Sequence, residues 1–421
     1  MKFEIYGGKE FSGEVKISGA KNNALKVLAS SLLFENAITV KNVPLIEDVF
    51  RMNDLLQSLG VLIKQTQKNT FILDSKNLNN FVLADDIAKK LRASIVVVGP
   101  LVARLNKAIF PYPGGCVIGK RPIDIFLKSW QKLGVSISEK KDKFNLKINN
   151  LLKGSEIIFR VPSVTATETI IMTALLAKGK TTIWNPSLEP EVLALIDFLK
   201  KSGAKIFVEK EKIEILGRNK KLLKAKEPVK IIPDRIEAGS FLILGSLLSK
   251  GLKILNCNPN HLMSLIGILE EAGVKIQRGK NFIYVKKPQK LLAVNVKTSE
   301  YPGFPTDLQA PLTVLLTQAH GESAVFETIY EGRLNYIEEL NRMGAKIFMC
   351  DPHRIIIFGP TKLRGREIES PDLRAGLAFV IAALISPNKS IINNVYQIDR
   401  GYEKIDYKLQ KLGLNIKRIS N

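Results

Sequence analysis

The chain has 421 residues, 45% hydrophobic and 24% charged, a balance that suits two or three globular domains and excludes wholesale disorder. Its net charge of +23 comes from 47 lysines and 16 arginines that are scattered, not interleaved with aromatics in a stripe, so a lysine-rich surface explains it better than a nucleic-acid footprint. The opening MKFEIYGGKEFSG has no secretory h-region, and apolar runs such as LAFVIAALI fall far short of the roughly 18 residues of a spanning helix, so a soluble, cytoplasmic protein without a membrane partner is expected.

In chain order, the first predicted helix is KNNALKVLASSLL, starting at Lys21. A helix end then runs into a strand at LLQSLGVLIK, and TFIL reads as another strand. RASIVVVGPLVA is a second apolar helix. It is followed by the Gly- and Pro-rich loop PYPGGCVIGKRPID, a helix end at WQKLGVSIS and a strand at FNLKIN. The alternation continues with SVTATETIIMTALLA, LKKSGAKIFV, DRIEAGSFLILGSLLS, LEEAGVKIQ, the strand FIYVK, TDLQAPLTVLLTQA, LNRMGAKIFM, PDLRAGLAFVIAALIS and LQKLGLNIKRI.

Six of these segments share one pattern: a helix end, a glycine, then an apolar alternation. The glycines are Gly60, Gly134, Gly203, Gly273, Gly344 and Gly413, separated by 74, 69, 70, 71 and 69 residues. Six units of about 70 residues therefore span the chain. Each helix stops at a residue able to take the left-handed C′ conformation. The six helices upstream are apolar nearly all round, which predicts burial. The fold class is α/β, built from mixed β/α modules.

Those helices start on polar residues. Ser163, Thr306 and Asp372 are ordinary N-cap types. Lys21, Arg92 and Arg235 are not, because a cation there opposes the macrodipole. A bound anion would relieve the conflict, so convergent helix starts would build an anion site. Three widely spaced cysteines, Cys116, Cys257 and Cys350, have no metal-ligand spacing, and the odd count argues against a disulfide framework. With only His261, His320 and His353, no histidine metal site is expected. Cys116 stands apart, on a loop beside Lys120 and Arg121 that lower a thiol pKa. Cys257 and Cys350 have no such setting and read as structural.

The motifs ISGAKNNAL, LRASIVVVGPLVAR, PGGCVIGKRPID, PSVTATET, PDRIEAGSF, FPTDLQAP, DLRAGLA and IDRGYEKI follow one another in order. Together they resemble the UDP-N-acetylglucosamine 1-carboxyvinyltransferase family over essentially residues 1 to 420. The resemblance implies a two-domain inside-out α/β barrel of six βαβαββ repeats. One domain would be residues 21–230, carrying the Cys116 lid loop. The other would join residues 1–20 to 231–421, with the active site in the cleft between them. It implies transfer of the enolpyruvyl group of phosphoenolpyruvate to a sugar hydroxyl of UDP-N-acetylglucosamine, by addition and elimination. The CH₂ carbon is protonated, the hydroxyl adds to its neighbour and phosphate leaves. This chemistry needs no metal and no organic cofactor, and its partners are these two small molecules, not nucleic acid.

By the same resemblance, Lys21, Arg121 and Arg400 surround phosphoenolpyruvate, each charge-assisted hydrogen bond contributing roughly 1.5–3 kcal/mol. Asp307 takes the hydroxyl proton, late in the step because an ordinary carboxylate is a weak base. Cys116 forms a thioether adduct with phosphoenolpyruvate and acts as proton donor or in product release. Asn22, Arg92, the run Arg121, Pro122, Ile123, Asp124 and Ile125, then Ser163, Val164, Thr165 and Ile329 bind the nucleotide sugar, while Arg333, Asp372 and Arg374 support. Gly114, Gly115 and Gly119 let the loop move over bound ligand. The sequence departs from the family at Thr165, Val96, Phe126, Leu188 and Gly332, where glycine, tryptophan, histidine, arginine and asparagine are usual. Those departures bear on the sugar pocket, not on the reaction class. Three other readings compete. The sister enzyme acting on shikimate 3-phosphate lacks this cysteine loop. A non-catalytic nucleotide-sugar-binding paralogue would not need the full catalytic set. An RNA-end-processing enzyme would need an ATP-reactive histidine.

Overall fold

The computed structural model describes residues 1–114, 118, 119 and 121–420. The chain divides into two compact units. Met1–Ser18 and Pro233–Asn421, with the described loop residues Ile118 and Gly119, form the first; Gly19–Gly115 and Arg121–Ile232 form the second. Each unit has its own hydrophobic core. Among the described residues no helix is long and apolar enough to cross a membrane.

Three helices fill the centre of each unit. In the second they are Lys21–Ser30, Ile95–Leu105 and Val164–Ala174. In the first they are Arg235–Leu248, Gln309–Leu316 and Leu373–Ile385. Every residue from Leu373 to Leu384 is buried, as an all-round apolar sequence requires. Gly99 shows how closely these helices approach. A Cβ there would lie 2.5 Å from Thr173 Oγ1 and 2.8 Å from Thr169 Cγ2 of the neighbouring helix, an overpacking that costs about 1–3 kcal/mol.

Among the described residues six sheets cover the helices, and one strand order recurs among them. Lys180–Trp184 runs parallel to Glu156–Ile158 and antiparallel to Lys212–Leu216, which pairs antiparallel with Lys205–Val208. Four other sheets repeat that order. The sixth has three strands, Lys107–Pro111, Lys143–Lys147 and Ser136–Lys140, with an isolated parallel bridge between Val82 and Ile109 in place of the edge strand. Lys2–Tyr6 lies between Lys389–Asn393 and Asn415–Ile419, which fixes the N-terminal residues to the C-terminal segment. Burial alternates along strands such as Lys2–Tyr6, Lys143–Lys147 and Lys212–Leu216, one face turned inward.

The glycines picked out by the period all sit at positive φ, from +81° at Gly413 to +105° at Gly344. Gly203 is typical: at φ +100° its N–H donates to Lys200 O at 3.0 Å and the chain turns into the strand Lys205–Val208. Cys257 is buried and donates to Ile254 O at 3.4 Å, and burial pushes its thiol up to about 11. Cys350 is exposed, contrary to its expected structural role. Strand alternation accounts for this: Cys350 is three residues from the inward-facing Ile347 and shares the outward face of Lys346 and Phe348.

Candidate active site

In the first unit the site is built around Asp307. This residue lies in the short 3-10 turn Thr306–Leu308 that leads into Gln309–Leu316. Its Oδ2 accepts from Arg374 Nη2 at 2.8 Å and its Oδ1 from Arg333 Nη2. Both arginines are nearly buried, at 4% and 3% exposure, whereas Asp307 keeps 27%. Burial is the largest single influence on either guanidinium and lowers its pKa; Asp307 acting together with Asp372 on Arg333, and with Tyr402 and Asp234 on Arg374, outweighs it, and both are raised. The two arginine bonds fix the orientation of the carboxylate, which keeps part of its surface exposed.

Local sequence places these groups. Asp372 caps Leu373–Ile385, accepting from the N–H groups of Arg374 at 2.7 Å and Ala375 at 3.1 Å, so Arg374 is fixed in the first turn. Arg374 Nη1 donates to the Tyr402 hydroxyl at 3.0 Å, and its guanidinium sits 5.3 Å from that ring. Arg400 follows the short helix Tyr396–Asp399 and donates to Gln397 Oε1 at 3.0 Å. The next residue, Gly401, has room only for a hydrogen: a Cβ would meet Leu373 side-chain atoms at 2.7 Å. Arg400, Tyr402 and the start of the Arg374 helix are thus held together. Ile329 lies half-buried in the turn after Gly321–Phe326, its N–H donated within the turn to Glu327.

In the second unit half-exposed residues stand at or just before the starts of the three buried helices, Arg92 in the 3-10 turn Arg92–Ser94 that leads into Ile95–Leu105. Lys21 and Asn22 stand at the first of these starts, and Ser163, Val164 and Thr165 at the third. Ser163 caps its helix, its Oγ accepting from Ala166 N at 3.4 Å. Lys21 forms an ion pair with Asp48 at 3.1 Å, so a carboxylate already answers the cation at this helix start. Arg92 donates to the carbonyls of Pro113, at 3.2 Å, and Arg121, tying both stems of the loop. Ile123 precedes the helix Asp124–Lys132, where Asp124 forms an exposed i,i+4 pair with Lys128 at 3.5 Å; Pro122 is exposed and Ile125 half-buried. Cys116, Lys120 and Gly115 lie outside the described residues.

Two expectations about helix starts need correction. Thr306 is not a cap: Pro305 precedes the turn, and the Thr306 hydroxyl donates to Glu327 Oε2 at 2.9 Å. The Arg235 helix has an ordinary cap in Asp234, whose Oδ1 accepts from Ile236 N at 2.8 Å and Glu237 N at 3.2 Å. The quoted motif PDRIEAGSF already carried that signal, an Asp after Pro at a helix start. Asp48 and Tyr402 were missed because nothing local marks them. The departures Val96 and Phe126 are buried core residues, Phe126 packing 6.0 Å from Trp130. Among the described residues no group of three or more His, Cys, Asp or Glu could hold a metal ion.

A family model described as EPSP synthase (3-phosphoshikimate 1-carboxyvinyltransferase) matches residues 5–409. A UDP-N-acetylglucosamine 1-carboxyvinyltransferase from Pelagibacter ubique (strain HTCC1062) is 42% identical over 420 residues, covering 100% of both chains. Those from Helicobacter pylori (strain ATCC 700392 / 26695) and Koribacter versatilis (strain Ellin345) are 40% and 43% identical, covering 99% of this chain and 98% and 96% of theirs. The chain belongs to the UDP-N-acetylglucosamine 1-carboxyvinyltransferase family. Its fold is also that of the enolpyruvyl transferase NikO from Streptomyces tendae, with a TM-score of 0.90 at 24% identity over 99% of this chain and 98% of that one. EPSP synthase from Acinetobacter baumannii superposes at 0.77 with 18% identity over 100% of each chain. Carboxyvinyltransferases of both names thus share this α/β architecture, and the full-length relatives cited above carry the nucleotide-sugar name.

Proposed function

We propose that the protein transfers the enolpyruvyl group of phosphoenolpyruvate to the 3-hydroxyl of UDP-N-acetylglucosamine, releasing phosphate, as the first committed step of peptidoglycan synthesis in the cytoplasm. The end-to-end match to relatives of that name at 40–43% identity carries this reading. The Asp307 carboxylate supports it, held in one orientation by two nearly buried arginines and still partly exposed.

In the reaction a proton is added to the CH₂ carbon of phosphoenolpyruvate, and the sugar oxygen bonds to the neighbouring carbon. Asp307 accepts the hydroxyl proton as that oxygen becomes acidic on bonding. The tetrahedral intermediate then loses phosphate from that carbon and a proton from the new methyl group, restoring the double bond. Lys21, Arg121 and Arg400 neutralise phosphate and carboxylate, and Cys116 acts on the phosphoenolpyruvate side. Arg92, Asn22, the Arg121–Ile125 segment, Ser163, Val164, Thr165 and Ile329 hold the nucleotide sugar. Mixing the protein with both substrates and following phosphate tests the proposal. Release that needs both is expected; no release at high enzyme concentration, or release with shikimate 3-phosphate instead, overturns it.

A further inference from the structure

We propose that Glu327 is a positioning residue for this reaction, setting both the Ile329 turn and the orientation of the Arg333–Asp307 pair. The role rests on the function proposed above. Glu327 follows the strand Gly321–Phe326 and its side chain is fully buried, at 0% exposure. A carboxylate so placed needs its acceptors filled. Oε1 accepts from the N–H groups of Ile329 at 2.8 Å and Tyr330 at 3.2 Å, and Oε2 accepts from Thr306 Oγ1 at 2.9 Å. Its backbone is fixed as well: Glu327 N donates to His353 O, and His353 Nδ1 donates to Glu327 O, both at 2.8 Å.

The Thr306 contact gives the arrangement its reach. A threonine hydroxyl has one proton and two lone pairs. Because Glu327 takes the proton, a lone pair is left to face Arg333, whose Nε donates to Thr306 Oγ1 at 3.2 Å and to Thr306 O at 3.3 Å. Arg333 Nη2 then donates to Asp307. One hydrogen-bonded line therefore runs Asp307–Arg333–Thr306–Glu327, from the proposed base to the turn that carries Ile329. A neutral amide at 327 could accept from the turn, but its NH₂ would point a donor at the Thr306 hydroxyl and remove the constraint on that proton.

The test compares wild type, Glu327→Gln and Thr306→Val by steady-state phosphate release and thermal unfolding. Thr306→Val keeps the turn and breaks the line, so kcat falls about tenfold while KM for UDP-N-acetylglucosamine stays within about twofold. Glu327→Gln perturbs both ends. It lowers kcat about tenfold and raises KM for the nucleotide sugar severalfold, with KM for phosphoenolpyruvate within about twofold. The double variant is no slower than the slower single one, as members of one line require. Wild-type kcat in Thr306→Val overturns the role, as does a Glu327→Gln protein that loses only thermal stability. If Glu327→Gln does not fold, Thr306→Val decides alone. Absence of wild-type turnover would instead remove the proposed function, and the positioning role with it.

Discussion

Asp307 and Arg374 are 67 residues apart in the chain and meet through a 2.8 Å hydrogen bond between Oδ2 and Nη2. Arg374 is nearly buried, and its other terminal nitrogen is committed to Tyr402. A planar fork is needed to serve both partners. Lysine is a single flexible charge and reaches one of them. Arg374→Lys is therefore expected to keep the charge and lose the geometry, reducing kcat about ten- to a hundredfold, the range of one charge-assisted hydrogen bond. Steady-state kinetics at substrate saturation checks this; a variant with wild-type kcat would show that the clamp is not used in turnover.

Arg418 plays a similar part for Arg400. It grips Asp399, the preceding residue, with bonds of 2.7 and 2.8 Å, and reaches Asp406 through Nε and Nη2 at 3.0 Å. Arg418→Met would leave two carboxylates facing each other without their cation. Since Arg418 is a quarter exposed, the stability loss is expected to be about 1–3 kcal/mol, less than for a fully buried pair. A rise in KM for phosphoenolpyruvate should accompany it. Denaturant unfolding alongside kinetics separates the two effects, and destabilisation with unchanged KM would confine Arg418 to holding the fold.

How much of this was legible follows from range. The six glycines and the six apolar helices were readable because both signals are local: a residue suited to positive φ, and a helix too apolar for any solvent face. The α/β class followed from them. Ser163 and Asp372 were readable as caps for the same reason. The Asp307 clamp was not, because it joins residues 26 and 67 positions apart through guanidiniums that any surface could carry. Glu327 had no signal at all: a glutamate after a strand looks solvated until Thr306 and the 329 turn close over it. Arg235 misled in the opposite direction, drawing attention from the Asp234 cap beside it.

A different carboxylate should shape the pH dependence of stability. Glu168 is fully buried in the second unit, 3.1 Å from Lys26. Burial raises its pKa from 4.5 to about 7; Lys26 opposes the rise, and Glu189 and Glu191 add to it. Between these values the folded protein keeps a proton that the unfolded chain has released. Stability therefore falls as pH rises through that window and levels off above it. From pH 5 to 8 this one group contributes a loss on the order of 2 kcal/mol. Glu168→Gln removes the titration, so denaturant unfolding at the two pH values should show a smaller fall than wild type. An identical fall in both proteins would assign the dependence to other groups.

Chemical labelling tests the assignment of Cys116. The epoxide antibiotic fosfomycin needs a thiolate: sulfur bonds to an epoxide carbon, the ring opens, and the oxygen takes a proton. The remaining cysteines offer unequal competition. Cys257 is buried with its thiol pushed up to about 11, so little thiolate forms at neutral pH. Cys350 is exposed and has no barrier of access. An indiscriminate reagent would therefore mark Cys350, whereas a site-directed reaction marks Cys116 beside the loop cations. Peptide mass spectrometry should find one adduct, on the peptide containing Cys116. Cys116→Asp should abolish it while leaving Cys350 alkylated by iodoacetamide as in wild type. Adduct on Cys350 or Cys257, or adduct surviving in Cys116→Asp, would take the nucleophile away from this loop.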